Sequence, residues 1–329
     1  MAGDSAGGLA ADSAGGLVWA FCYAPGQRPQ PAKQLGRVAE GWSWAHFDLV
    51  DAQAVPLIRA SAELSDFAKE ILTGTDEQLR LVAEQDVIAG VLPGFARNPG
   101  RSLELVSWRF ALQQDLLVTA RRAPVRSMVV AWQRACNGHT PDTPLELIGE
   151  AVASFAQDMR QHVGTLAGQL NTVEDALLSQ GEQDLGPLAP AIGRVRRDAT
   201  KLKRALDPVM RLMDDDIDEL PAWAAGWSHD TAHRLTHAAM DDLQAVQERA
   251  RSLQDELTAR QAEETNRRLY IVSLVTTLIL PATFVTGFFG MNTGGMFMAS
   301  SPMGTLVGAG LCLTSLVGTW LLLRWRRLL

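Results

Sequence analysis

No acidic side chain occurs after Glu264: all 37 Asp and Glu residues of this 329-residue chain lie at or before it. Nor is there any charged residue in the 21 positions from Leu269 to Phe289. Cysteine is scarce, and Cys22, Cys136 and Cys312 stand far apart with no C-x-x-C pair, which excludes a disulfide framework and a thiolate metal site. The chain has no G-x-S-x-G, no G-x-x-x-x-G-K-[ST] and no H-E-x-x-H, so nothing supports an enzyme or an ATP-driven machine. A signal peptide is not expected either. Asp4 and Asp12 occupy the place of a positive n-region, the apolar run Leu17 to Tyr23 is short, and the octets GDSAGGLA and ADSAGGLV read as a flexible tail over residues 1–16.

What is there divides by charge. After Glu264 only Arg267, Arg268, Arg324, Arg326 and Arg327 are charged, so the earlier part holds the other 25 of 30 basic residues against 37 acidic ones, a net charge of minus 12, and the remainder carries plus 5. An acidic soluble part argues against nucleic-acid binding and favours attraction of cations. With 47% apolar residues the chain can bury a core and also span a membrane.

Taken in order, Leu17–Tyr23 and Trp42–Val50 read as strands, the second with Trp42, Trp44 and His46 on one face by period two. A helix is expected from about Val55 to Leu72. Val87–Leu92, Leu103–Phe110 and Leu116–Ala120 are further strands, separated by Pro93-Gly94, Pro99-Gly100 and Gln113-Gln114-Asp115. A helix over Val125–Cys136 ends in Asn137-Gly138. The next opens at Thr143-Pro144-Leu145-Glu146, a capping box with proline at the first helical position, and runs to about Ser179. A loop at Gly181–Pro187 and a helix over Leu188–Leu212 follow, and the last long helix begins after Pro221. On it Ala239, Leu243, Val246, Ala250, Leu253 and Leu257 step by four and three, a seam that runs without a breaker into Leu269. One helix of more than sixty residues is the expectation. The fold class is therefore α+β: a mixed α/β domain over 17–140, a helical stalk over 141–268, and a two-span membrane domain over 269–329.

The spans are 269–289 and 303–323. At 1.5 Å per residue the first is roughly 31 Å long, the thickness of a bilayer's hydrocarbon core. It carries Ser273, Thr276, Thr277, Thr283 and Thr286, a pattern that suits a helix with one side facing water. Arginines flank both spans on one side only, which sets the N-terminal domain and the C-terminus in the cytoplasm and the Gly290-Met291-Asn292 loop outside. Pro281, Thr283, Phe284, Gly287 and Gly290-Met291-Asn292 form the pattern P-x-T-F-x-x-G-x-x-G-M-N between two terminal spans. In this the chain resembles the CorA superfamily of divalent-cation channels and transporters. The following Gly294-Gly295 resembles the ZntB branch of zinc transporters, although Met296-Phe297 stands where that branch usually has an apolar residue and a proline.

The resemblance implies a homopentamer in a bacterial-type inner membrane, with the first span lining the axis, no permanently bound cofactor, and Zn2+ as the ion carried, coupled to a proton gradient. Two spans per chain cannot enclose a water-filled path, so several copies around an axis are needed in any case. Gly290, Met291 and Asn292 are the candidates for admitting and selecting the ion, by amide and carbonyl oxygens. Thr283 lies nine residues before Asn292, Leu280 would make an apolar constriction, Thr276 continues the lining, and Asn266 fits a polar ring at the cytoplasmic mouth. His229, His233 and His237 recur at i, i+4 and i+8, a spacing that can chelate zinc, with Asp230, Asp241 and Asp255 as carboxylates on the same helix; a solvated stripe is the more frequent meaning of such a face. The run Asp214 to Glu219 reads as a solvated turn, and Trp223 and Trp227 as packing residues.

The spans hold no Asp, Glu, His or Lys, so an all-oxygen path suits Mg2+, Co2+ and Ni2+ as well as zinc, and proton coupling would have to use water, hydroxyls or cytoplasmic groups. A CorA-like channel for those ions is the alternative. A two-span signalling or scaffold protein is the rival of another class, but its outer loop TGGMFMASSP is too short to fold into a sensor.

Overall fold

Strands β1 (Leu17–Tyr23), β2 (Gln30–Pro31), β3 (Trp42–Asp48), β4 (Arg80–Glu84), β5 (Val87–Phe95), β6 (Leu105–Leu112) and β7 (Leu116–Arg121) form one sheet in the order β2-β1-β3-β7-β6-β5-β4. The computed structural model describes residues 15–97, 104–179, 186–214, 220–224, 230–291 and 303–326. Its contacts divide the chain into two units, Met1–Leu253 and Gln254–Leu329. The pairing of β3 with β7 is parallel and the other pairings are antiparallel, so this is a mixed sheet.

The five strands read from the sequence are all present. Two others were not legible: β2 is two residues long with Pro31 at a sheet edge, where proline is tolerated, and β4 is a short edge strand with charged ends. Pro93-Gly94, expected to break the chain, instead lies inside β5. β4 ends opposite Val91, so at Pro93 the strand has a neighbour on one side only and a missing N–H leaves no ladder bond unmade. At Gly94 a Cβ would stand 2.4 Å from Val125 Cγ1, so only glycine fits that approach.

The helix expected over Val55–Leu72 is two, α1 (Ala54–Ala60) and α2 (Asp66–Thr73). Serines make the break. Ser61 turns extended and its Oγ accepts the Glu63 N–H at 3.2 Å, and Ser65 caps α2 by accepting from the Ala68 N–H at 3.1 Å. Both helices bury Ile58, Ala68 and Leu72 over a sheet face built from Ala45, Phe47, Val118 and their neighbours.

The opposite side of β3 holds a buried polar chain. Arg121 Nε donates to His46 Nε2 at 3.0 Å, so the proton of the neutral ring sits on Nδ1, which donates to Thr119 Oγ1 at 2.8 Å. Trp44 Nε1 donates to the same hydroxyl at 2.8 Å, and the hydroxyl donates to the Ala45 carbonyl at 3.3 Å. Trp19 stacks on the imidazole at 4.1 Å, and Asp48 faces Arg121 at 3.6 Å. Burial, and after it the Arg121 charge, hold His46 well below its ordinary pKa. The unfolded chain takes up a proton below about pH 6.5 that the folded domain refuses. This contribution to stability is complete above that pH and is lost as pH falls below it, by at most about 1.4 kcal/mol per pH unit. Thermal unfolding scanned from about pH 7 down to about pH 5 should show that loss. In His46→Gln the slope should flatten; an unchanged slope would assign it to other groups.

The remaining helices are α3 (Arg126–Cys136), α4 (Pro144–Leu178), α5 (Leu188–Asp214), α6 (Asp230–Gly290) and α7 (Gly304–Trp325). The N-cap half of the capping box at α4 is realised, with Thr143 Oγ1 accepting the Glu146 N–H at 3.2 Å, while Glu146 Oε2 reaches one residue further back and accepts the Asp142 N–H at 2.8 Å. Past α3, Gly138 takes φ +88°, the left-handed stop that glycine allows. α4 packs on β3 and β5, and α5 lies against α4. The long last helix is a single element of 61 residues. Ala239, Leu243, Val246, Ala250, Leu253 and Leu257 are all buried, as the heptad spacing requires.

Candidate functional site

After Leu257 the helix loses its cover. Among the described residues from Thr258 to Gly290 none is buried, although Leu269, Ile271, Val272, Val275, Ile279, Leu280, Phe284 and Phe288 are large and apolar. In water that surface would be strongly unfavourable, at about 25 cal/mol per Å2. It calls for lipid and for other helices. Mean hydropathy reaches 1.9 in this part of α6 and 1.9 in residues 306–325 of α7, and both stretches are long enough to cross a bilayer.

The two helices fold back on each other through small residues. Gly308 brings α7 against Phe289, and Cys312 Sγ stands 3.7 Å from the Ala282 carbonyl. At the end where the hairpin begins and finishes, Arg324 lies over the Trp320 ring at 5.3 Å and Arg326 over Trp325 at 5.8 Å, the aromatic and cationic anchors of a membrane interface.

The hydroxyls of the first span are already committed as donors. Thr276 Oγ1 donates to the Val272 carbonyl at 2.8 Å, Thr277 to Ser273 at 2.8 Å, Thr283 to Ile279 at 3.0 Å and Thr286 to Thr283 at 2.9 Å. A hydroxyl whose proton is pinned into its own helix presents only lone pairs outward, the polarity a cation or its hydration water needs. Helical spacing sets Asn266, Thr276, Leu280 and Thr283 on one face, and it adds Ser273, seven residues after Asn266, which the sequence reading had left out of that face. Pro281 inside α6 removes the N–H that would have closed on the Thr277 carbonyl, one turn below Leu280.

Of the three residues proposed at the mouth, Gly290 ends α6, Met291 follows it with its N–H on the Phe288 carbonyl at 3.4 Å, and Asn292 lies outside the described residues. His229, Trp227 and Asp215 to Glu219 also lie outside them. His233 and His237 do come together, with ring centroids 4.2 Å apart. Asp255 does not join them: it stands eighteen residues after His237, a rise of about 27 Å along α6. Among the described residues no three His, Cys, Asp or Glu side chains gather as a metal centre would need. Trp223, read from the sequence as a packing residue, is half-buried, and its Nε1 donates to the Asp86 carbonyl at 3.3 Å.

The sequence profile of the family described as CorA-like Mg2+ transporter protein matches residues 39–327, from just before β3 through the second span. The chain belongs to that family. Among relatives, the CorA-like chain is 27% identical over 273 residues to the divalent cation transporter CmaX of Pseudomonas aeruginosa, covering 79% of this chain and 80% of the relative. It is likewise 27% identical over 274 residues to the zinc transport protein ZntB of Pectobacterium carotovorum, covering 79% and 80%. Among solved structures, full-length CmaX matches with a TM-score of 0.77 at 23% identity over 100% of this chain and 99% of that one. The CorA magnesium transporter of Methanocaldococcus jannaschii matches with a TM-score of 0.74 at 14% identity over 93% and 96%. These likenesses establish the fold of the CorA-like chain: a mixed α/β domain, a long helix running on from it, and a second apolar helix.

Proposed function

We propose that the chain forms a ring of five around an axis lined by α6 and that this ring carries zinc across a bacterial inner membrane, with both termini in the cytoplasm. Transport of divalent cations follows from the family. The observation that carries the ring is the bare stretch of α6 from Thr258 to Gly290, whose face of Asn266, Ser273, Thr276 and Thr283 presents oxygen atoms outward and suits water around an axis. In this reading residues 17–140 form the α/β domain, 141–268 the stalk and 269–329 the membrane part. Gly290, Met291 and Asn292 admit the ion and Leu280 narrows the path.

Zinc as cargo is supported by the relatives named zinc transport protein, and coupling to protons by the resemblance to that branch. An oxygen-only path favours a second reading, a channel for Mg2+, Co2+ and Ni2+. Proteoliposome flux separates the two. Zinc uptake that exceeds magnesium uptake and rises with an imposed pH gradient is the expected result; faster magnesium uptake, indifferent to pH, would establish the second reading. Native mass measurement of the solubilised protein should give roughly five times the 35.7 kDa chain mass. An active monomer or dimer would overturn the ring.

A further inference from the structure

α5 is the most basic element before Glu264, in a part of the chain that is acidic as a whole. It carries seven basic against three acidic side chains, a net charge of plus 4, so the other residues up to Glu264 sum to minus 16. The charge is ordered. Ile192, Val195, Ala199, Leu202, Leu206 and Val209 are buried on the side that meets α4, and Arg194, Arg197, Lys201, Arg204 and Arg211 recur at helical spacing on the exposed side. Lys201 faces Asp198 at 3.6 Å; Arg194, Arg197, Arg204 and Arg211 have no carboxylate partner among the described residues. A row of cations on one helix is a surface that fits an acidic counterpart.

The counterpart lies on the same unit. An open cavity of about 1400 Å3 between the start of α4, the start of α6 and the turns at Asp86 and Asp115 is lined by five carboxylates, Asp86, Asp115, Asp142, Glu146 and Glu150, and one cation, Arg37. Arg37 is already engaged by Asp115 at 3.3 Å and Glu63 at 3.0 Å. Trp223, half-buried, adds aromatic surface of the kind on which guanidinium planes stack. The lining sums to minus 4, with Glu150 already paired to Arg134 at 3.3 Å, against plus 4 for the whole of α5.

We propose that the arginine face of α5 in each chain docks into the acidic cavity of the next, a head-to-tail contact that girdles the cytoplasmic part of the ring. The inference rests on the ring proposed above and specifies what holds its soluble domains. A contact between two different patches of one chain closes into a ring when the rotation allows it. Two such charged surfaces also steer assembly and weaken as salt rises past the point where the Debye length is about 10 Å.

The test uses full-length protein in lipid nanodiscs with Cys22, Cys136 and Cys312 replaced by Ser. Arg204→Cys together with Asp142→Cys should give, on mild oxidation, an inter-chain disulfide ladder that climbs to the ring size, and neither single variant should give a ladder. In the wild-type background, Arg197→Glu with Arg204→Glu should raise the fraction of free chains at low salt by about tenfold or more by native mass. Adding Asp86→Arg and Asp142→Arg should restore the ring. If wild-type protein is not a ring, both the ring and this contact fall. If it is a ring but no ladder forms and charge reversal leaves it intact, only the docking is overturned. Loss of binding to anionic-lipid vesicles in the reversed variant, with the ring untouched and no ladder, would give the stripe to a lipid surface and also overturn it.

Discussion

Asn292→Ala should cut zinc, cobalt and magnesium transport in proteoliposomes by about a hundredfold while the ring still assembles. The outer mouth has little to offer an ion. α6 ends at Gly290 and the sequence from Thr293 to Pro302 contains no carboxylate. A dication arriving there must exchange or orient its hydration shell against amide, hydroxyl and main-chain oxygens, and Asn292 holds the carboxamide nearest the end of the first span. Around a ring a single substitution removes every copy at once. Each chain should still fold, because the buried seam from Ala239 to Leu257 and the Gly308 and Cys312 contacts are elsewhere in the chain. Asn292→Asp sharpens the case. A ring of carboxylates should bind dications more tightly and slow their release, since conduction needs sites weak enough to leave. Wild-type flux of all three ions through Asn292→Ala would make the Gly-Met-Asn segment a structural cap and no more.

Features written in a repeated spacing were legible in the sequence, and those made by a single side chain turned to the backbone or by contact between distant segments were not. The apolar run after Arg268, the seam at four and three, and the cap at Thr143 each depend on residues within a few turns of one another, and all three appear where they were expected. The break between α1 and α2 rests on two serine side chains turned to the backbone, and serine is as common outside such breaks as within them. β5 passes through Pro93 because β4 stops at Val91, a fact of sheet register that no window around the proline contains. His46 was placed on its face by period two. Its bond from Arg121, seventy-five residues away, needs the parallel pairing of β3 with β7. The basic face of α5 was written in the sequence too, but it stood out only once burial of Ile192, Leu202 and Leu206 fixed which side of the helix is left outside.

The candidate site was legible to different depths. Thr276, Leu280 and Thr283 follow from helical spacing once the span is recognised, whereas the direction of the threonine protons follows from the carbonyls at Val272 and Ile279 and turns those side chains into outward acceptors. The histidine stripe shows the reverse. His233 and His237 do meet, and Asp255 shares a helix with them without sharing a neighbourhood, because an i, i+4 match says nothing about a residue eighteen positions on.

Leu280→Ser should raise basal ion flux by about ten- to a hundredfold, equivalent to about 1.4–2.8 kcal/mol off the barrier to crossing. Leu280 stands between Thr276 and Thr283 on one face of α6 and is 66% exposed in the single chain, so in a ring it supplies apolar side chains to a path otherwise lined by oxygens. Such a constriction obstructs ions by excluding water from the narrowest point rather than by charge. A hydroxyl of smaller volume both widens the ring and lets water bridge the two threonine layers. Leu280→Ile keeps the apolar surface and should stay near wild type, which separates wetting from a general loss of packing. Selectivity should fall along with the barrier, because an ion that keeps its water through Leu280 is discriminated only at the mouth. The measurement is dye-reported flux of zinc and magnesium into vesicles at matched protein density. Equal flux in wild type, Leu280→Ser and Leu280→Ile would turn this face toward lipid, and with it would go the assignment of Thr276 and Thr283 to the path.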